Sequence, residues 1–217
     1  MTAPRFARTL LKNAARALAP SSLLVTRGPA DRRAVALTFD DGPEALLDEY
    51  LAVLERFGAR ATFFVLGSAC ARRRDGLLEI VRRGHEVASH GYTHKRFPTL
   101  SAAELDDELA LTAALLPVPR TRRPLVRPPQ GATTLKSILR TSLRGYTTVL
   151  WSLDSDDCRT QSPSEIAAKV APARVAPGEI VLLHEGQTWT LEALPAILDG
   201  LERAGYALVT VGELLRA

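Results

Sequence analysis

Residues 34–43 read Ala-Val-Ala-Leu-Thr-Phe-Asp-Asp-Gly-Pro, an apolar run that leads straight into two adjacent carboxylates and a turn. Such a run, too short for a helix and bounded by Gly-Pro, predicts a buried strand. Outward from it the chain alternates. Further strand patterns fall at 61–66, 86–89, 125–127, 146–153, 179–184 and 207–211. Helical patterns lie between them at 44–57, 70–83, 101–116, 134–144, 163–174 and 191–204, with a short one at 212–216. Gly58, Gly84, Gly145 and Gly205 each stand where a helix gives way to a strand, and Ser101 with Glu104 forms a capping box. Seven strands, each followed by a helix, predict an α/β domain with a parallel sheet, either doubly wound or closed into a barrel. In both architectures the chemistry gathers at the C-terminal ends of the strands.

The chain has 217 residues, 46% of them hydrophobic and 24% charged, which is the balance of a globular protein with one core and excludes a disordered chain. No apolar run approaches the ~20 residues of a membrane-spanning helix. Two cysteines make neither a disulfide scaffold nor a four-cysteine zinc site. A pI near 9.4 raises the question of nucleic acid. The location of the charge answers it. Residues 1–33 carry seven cations (Arg5, Arg8, Lys12, Arg16, Arg27, Arg32, Arg33) and one acid, Asp31, for a net +6, which leaves −2 for the rest. The body has no basic stripe interleaved with aromatics, and its Arg72-Arg73-Arg74 run has no aromatic partner, so a nucleic-acid partner is rejected.

On a helical projection Arg5, Arg8, Lys12 and Arg16 fall within about 80° of one another, opposite Phe6, Leu10, Leu11, Ala14, Ala17 and Leu18. This predicts a basic amphipathic helix over 5–18, ended by Pro20. It either lays its apolar stripe on the domain behind it, the favoured reading, or contacts an anionic membrane surface. The stretch lacks the apolar core of a signal peptide. The expectation is therefore a cytoplasmic protein, peripheral to the inner face of the membrane if the helix binds lipid.

The strand ends collect unusual residues. Asp40 and Asp41 close the first strand; alone they read as an Asp-Gly-Pro turn, and together they suit a metal ligand beside a free carboxylate. The third strand ends in Ser89-His90-Gly91-Tyr92-Thr93-His94, two imidazoles four apart that converge on one metal if the stretch turns helically. Arg127 precedes a rigid Pro128-Pro129-Gln130-Gly131 turn. The fifth strand runs through Trp151 into Asp154, Asp156 and Asp157, a solvated loop or a group that orients a base. The sixth ends in Leu182-Leu183-His184-Glu185-Gly186. Each motif has a bland explanation. Five of them at the ends of strands in one sheet point to a metal site with an acid/base pair.

In these five motifs, in order over residues 33–217, the sequence resembles the polysaccharide deacetylase family of carbohydrate esterases, the NodB-homology domain. The resemblance implies a distorted (β/α) barrel of commonly seven strands, a 33–217 catalytic domain behind a 1–32 basic segment, and an N-acylated saccharide as substrate. It implies Asp41, His90 and His94 as ligands of zinc, another divalent transition metal being the alternative ion. Asp40 is then the base that activates the zinc-bound water, and His184 the acid that protonates the leaving amine. Arg127 pairs with Asp40, Asp157 orients His184, the Gln130 N–H stabilises the oxyanion, and Leu182 lines the acetyl pocket. Tyr92 and Trp151, with Trp189, are the aromatics nearest the motifs, and the first two are expected to meet the substrate.

Two positions depart from the family pattern: Cys158 stands where an aromatic is usual, and Gln130 where a Tyr is usual. Both point to an altered substrate pocket, and Cys158 as a further metal ligand ranks below a simple small replacement. The expected function is removal of an N-acetyl or other N-acyl group from an amino sugar in a polysaccharide, oligosaccharide or lipid-linked precursor. A non-catalytic saccharide-binding protein on the same fold and a deformylase or other small-amide hydrolase are the alternatives.

Overall fold

The computed structural model describes residues 20–117 and 123–216, so the helix expected over 5–18 lies outside the described residues. The strands are β1 (Leu24–Val25), β2 (Ala34–Asp40), β3 (Thr62–Val65), β4 (Glu86–Ser89), β5 (Leu125–Val126), β6 (Thr147–Val149), β7 (Leu153–Asp154), β8 (Ile180–His184) and β9 (Ala207–Leu208). The helices are α1 (Leu47–Arg56), α2 (Gly67–Arg72), α3 (Arg74–Arg82), α4 (Ala102–Ala113), α5 (Leu135–Leu143), α6 (Pro163–Lys169), α7 (Thr188–Arg203) and α8 (Val211–Leu214). No helix among the described residues is long and apolar enough to cross a membrane.

Every strand pair is parallel, in the order β1-β6-β5-β4-β3-β2-β8-β7, with β9 on the first residues of β2. That order forces the sheet to curl. β6 and β7 lie six strand spacings apart, ~29 Å on a flat sheet at about 4.8 Å each. Only Leu150, Trp151 and Ser152 join them, and so short a link reaches at most ~14 Å. The ends of the sheet must therefore meet, and the chain crosses the seam directly. The Leu150 N–H donates to Val25 of β1 at 2.8 Å, and the Ser152 N–H donates to Ile180 of β8 at 3.0 Å. Gly28 tacks the other end down, its N–H donating to the Gly178 carbonyl at 2.8 Å, just before β8.

The barrel is the expected one, but the sheet has nine strands rather than seven. The pattern at 146–153 divides into β6 and β7 because one chain cannot stay paired while it crosses the seam. β1 is the other addition. It brings Leu24 and Val25 into the sheet beside β6. The helix expected at 70–83 breaks at Arg73, whose φ/ψ of −130°/64° is not helical. The capping box of α4 is present: the Glu104 N–H donates to Ser101 Oγ at 3.2 Å, and the Ser101 N–H to Glu104 Oε2 at 2.8 Å. Gly58, Gly84, Gly145 and Gly205 all take positive φ where their helices end.

Side-chain alternation sorts the strands into two faces. Ala34, Ala36, Phe64, Ala88, Leu125, Val149 and Ile180 fill the barrel interior. Val35, Leu37, Phe39, Phe63, Val65, Val181 and Leu183 face the helices, where Leu51, Leu54, Leu194 and Leu198 cover them. One end of the barrel is closed by α8. The Gly212 N–H donates to buried Glu86 at 2.9 Å, and the Val211 N–H to Thr62 Oγ1 at 2.8 Å. The C-terminal ends of the strands form the mouth.

Candidate active site

The interior face, followed to the mouth, ends on Asp40 of β2, His184 of β8, and His90 and Arg127 just past β4 and β5. The register makes Asp40 and His184 direct Cα partners. Leu182, two residues below His184, shares its inward face and is buried, which places it on the floor beneath that histidine.

Arg127 is fully buried. Its Nη1 donates to Asp40 Oδ1 at 2.7 Å and to Thr38 Oγ1 at 2.8 Å, and its Nη2 to the Leu150 carbonyl at 3.2 Å. The guanidinium carbon lies 4.0 Å from the centre of the Phe64 ring and 5.6 Å from that of half-buried Trp151. A charge this deep needs a partner, and Asp40 is the partner.

Asp41, His90 and His94 come together beside it. Asp41 Oδ1 is 3.6 Å from His90 Nε2 and 3.3 Å from His94 Nε2, and the two imidazole centres are 5.3 Å apart. The helical turn expected to bring the histidines together is absent: residues 90–96 form a loop, with His94 at φ 62°. A buried carboxylate does the work instead. Glu108 of α4 accepts the N–H groups of Tyr92 at 2.6 Å and Thr93 at 2.8 Å, and also the Thr93 hydroxyl. The Tyr92 ring packs on Gly67, where an added Cβ would come within 2.3 Å of it.

This donor set fits a metal ion. Asp41 Oδ1 is buried without a hydrogen-bond partner, an orphan that a cation would satisfy. His90 Nδ1 lies 2.8 Å from the Arg127 carbonyl, so it carries the ring proton and leaves Nε2 as a lone pair toward Asp41. Burial pulls the His90 pKa down against the pull of Asp40 and Asp41, which keeps the ring neutral, as a ligand must be.

On the other side of Asp40, His184 Nδ1 lies 2.7 Å from Asp157 Oδ1. Asp157 is fully buried, and its Oδ2 accepts the His184 N–H at 2.7 Å and Thr190 Oγ1 at 2.9 Å. The Trp189 indole N–H donates to the Asp157 carbonyl at 2.8 Å. Burial alone would lower the His184 pKa. The Asp157 hydrogen bond and charge, with Asp40 and Asp41 beyond, overcome it and raise the value to about 9. Of the three acids in the 154–157 stretch only Asp157 enters the site; Asp154 and Asp156 pair with Arg159, and Asp156 also with Lys169.

Asp41, His94, Gln130 and Asp156 are the non-glycine residues with positive φ among those described, and all stand in loops of this mouth. Backbone strain held in place at one site is a mark of function. At Gln130 the Gly131 and Ala132 N–H groups donate to the Pro128 and Pro129 carbonyls at 2.9 and 3.1 Å, fixing a tight turn. Gly131 itself could carry no side chain, since a Cβ would sit 2.5 Å from the Trp151 ring.

Glu108 and Glu185 are the residues that sequence reading missed. Both Glu185 oxygens accept the Glu44 N–H, at 3.1 and 2.8 Å, and Oε2 would lie 1.8 Å from a Cβ on Gly42. Glu185 thereby holds the turn that follows Asp40 and Asp41. Its position directly after His184 was the available signal. Glu108 gave none, standing in an ordinary acidic helix.

A barrel whose mouth holds a two-histidine, one-carboxylate cluster between a paired carboxylate and a paired imidazole is the scaffold of a metal-dependent hydrolase. The family model described as polysaccharide deacetylase matches residues 27–149, and the chain belongs to that family. A peptidoglycan-N-acetylglucosamine deacetylase of Bacillus cereus is 31% identical over 205 residues, covering 92% of this chain and 96% of its own. A chitooligosaccharide deacetylase of Bradyrhizobium sp. is 32% identical over 199 residues, covering 84% and 90%. A solved peptidoglycan N-acetylglucosamine deacetylase, in complex with 4-naphthalen-1-yl-N-oxidanyl-benzamide, is similar in fold with a TM-score of 0.84 and 25% identity, over 90% of this chain and 94% of that one.

Proposed function

We propose that the protein hydrolyses the N-acetyl group of an amino sugar within a saccharide, with Asp40 as base and His184 as acid on either side of a divalent metal. The observation that supports it most is the pairing of Asp40 and His184 at one level of adjacent strands, each held by its own buried partner of opposite charge. Asp41, His90 and His94 would hold the ion, and two imidazoles with one carboxylate suit zinc. When bound, that ion supplies Lewis acidity toward water and the acyl oxygen.

The chain's own groups supply the proton traffic. Asp40 Oδ1 is held by Arg127, which leaves Oδ2 to take a proton from water as it adds to the acyl carbon. The Asp157 contact keeps the His184 Nδ1 proton in place, so Nε2–H is the proton delivered to the sugar nitrogen as the C–N bond breaks. Acetate and a free amine result. The Gln130 N–H, presented by its strained turn, stabilises the negative charge that develops on the acyl oxygen. Leu182 meets the acetyl methyl, and half-buried Trp151 forms the wall behind the Gln130 turn.

The test is acetate release from N-acetylglucosamine oligosaccharides by protein loaded with one zinc. Asp40→Asn and His184→Ala should each lose about 10²–10⁴-fold in kcat while still binding the metal. Metal-loaded protein that released no acetate from any N-acylated saccharide, or activity untouched by Asp40→Asn, would refute the reading.

A further inference from the structure

The mouth contains a second group of metal-type donors. Asp157, Cys158 and His184 each offer one ligand atom, and these atoms all lie within 4.8 Å of one another. Sulfur, imidazole nitrogen and carboxylate oxygen form a donor set characteristic of zinc. Two of the three are held in place by Asp157's contacts to the His184 N–H, the His184 ring and Thr190. The third, Cys158, is exposed, and rotation about its Cα–Cβ bond would move the sulfur. Ligand atoms around one tetrahedral zinc stand roughly 3.3–3.8 Å apart, so besides that rotation the His184 Nδ1–Asp157 Oδ1 contact, 2.7 Å while a proton bridges it, must open as the ion takes the proton's place.

We infer that Asp157, Cys158 and His184 form a second, inhibitory site for a thiophilic divalent cation of the zinc and cadmium type. The ion replaces the proton between His184 Nδ1 and Asp157 Oδ1 and the proton on Cys158 Sγ, so binding releases two protons while Asp157 contributes its existing charge. His184 is then a neutral ring whose remaining Nε2–H is too weak an acid to protonate a departing amine. The same ion species thus serves at Asp41, His90 and His94 and, in excess, disables the acid. The position that gives this chain the second site is Cys158, since the aromatic usual there has no donor for a metal. The inhibitory consequence rests on the deacetylase reading; the capture of metal does not.

Cobalt(II) makes the two sites distinguishable, because a thiolate ligand gives an intense sulfur-to-metal charge-transfer band in the near ultraviolet. The full chain titrated with cobalt should bind one equivalent without that band and a second equivalent with it. Cys158→Ser should keep the first and lose the band. In parallel, excess zinc should slow acetate release by wild-type protein about 10²-fold or more, the share that general acid catalysis carries. Cys158→Ser, whatever its own rate with one equivalent of zinc, should show no such slowing when zinc is raised to the same excess. A wild-type titration without a thiolate band overturns the proposal, as does a band that persists in Cys158→Ser, or equal zinc inhibition of both proteins. A band that forms in protein releasing no acetate at any zinc level leaves the metal site standing and refutes the deacetylase reading instead.

Discussion

Arg127 is the residue on which the most depends. Its guanidinium holds the Asp40 carboxylate, the Thr38 hydroxyl and the Leu150 carbonyl at the barrel seam. Removing the cation strands Asp40, which is only 3% exposed. Arg127→Met should therefore cost about 3–5 kcal/mol in urea unfolding, as breaking one side of a buried ion pair does, and should lower kcat as well. Asp157→Asn tests the opposite flank. With the carboxylate charge gone, burial dominates at His184 and its pKa drops from about 9. The acid is then lost at lower pH, so the alkaline limb of the kcat profile should move down the pH scale, a shift that mere destabilisation would not produce. The residues proposed for the reaction were legible because each sits in a short motif of unusual composition. Glu108 and Glu185 were not, because what they bind is backbone N–H, and nothing in a sequence marks which N–H will need an acceptor.

β2 divides the site. Beyond β3 on one side, β4 leads to His90 and His94; on the other side, β8 and the loop after β7 carry His184 and Asp157. The metal half relies on α4 through Glu108, which holds the loop between the two histidines. Glu108→Ala should weaken zinc about 10–100-fold in a chelator competition, and Glu108→Gln, which keeps an acceptor oxygen, should recover most of it. Gly131→Ala should fail differently. Its Cβ would meet the Trp151 ring at 2.5 Å from a backbone at φ 60°, so the Gln130 turn must shift and kcat should fall with zinc affinity unchanged. At this scale the sequence was a good guide to where strands and helices lie. It misread the connections. Residues 146–153 look like one strand because every position is buried or half-buried on both sides of the seam apart from Ser152, and His90 and His94 look helical because their spacing is.

The molecule as a whole carries its net +4 in Arg5, Arg8, Lys12 and Arg16, so residues 20–217, β1 included, are balanced in charge. Its stability should nonetheless decline toward alkaline pH in metal-free protein. Burial, relieved in part by the Glu44 N–H, raises Glu185 from 4.5 to about 7, and His184 is raised from 6.5 to about 9. Both folded values exceed the unfolded ones, so both contributions are full below the unfolded pKa and are lost as pH climbs through the folded one. Burial lowers His85 from 6.5 to about 4, which works in the opposite sense but is complete by pH 6.5. Between about pH 6.5 and 9 the urea midpoint measured with a chelator should therefore fall, and His184→Gln should remove most of that fall.

The seam has a colloidal consequence. A sheet is open to recruitment by other chains along its edge strands, and the hazard grows with their length. Here both ends of the strand order, β1 and β7, are two residues long, and both border the seam that Gly28, Leu150 and Ser152 stitch across. An incoming strand finds no ladder long enough to extend, so the curl that assembles the catalytic mouth also guards the protein against edge-to-edge aggregation.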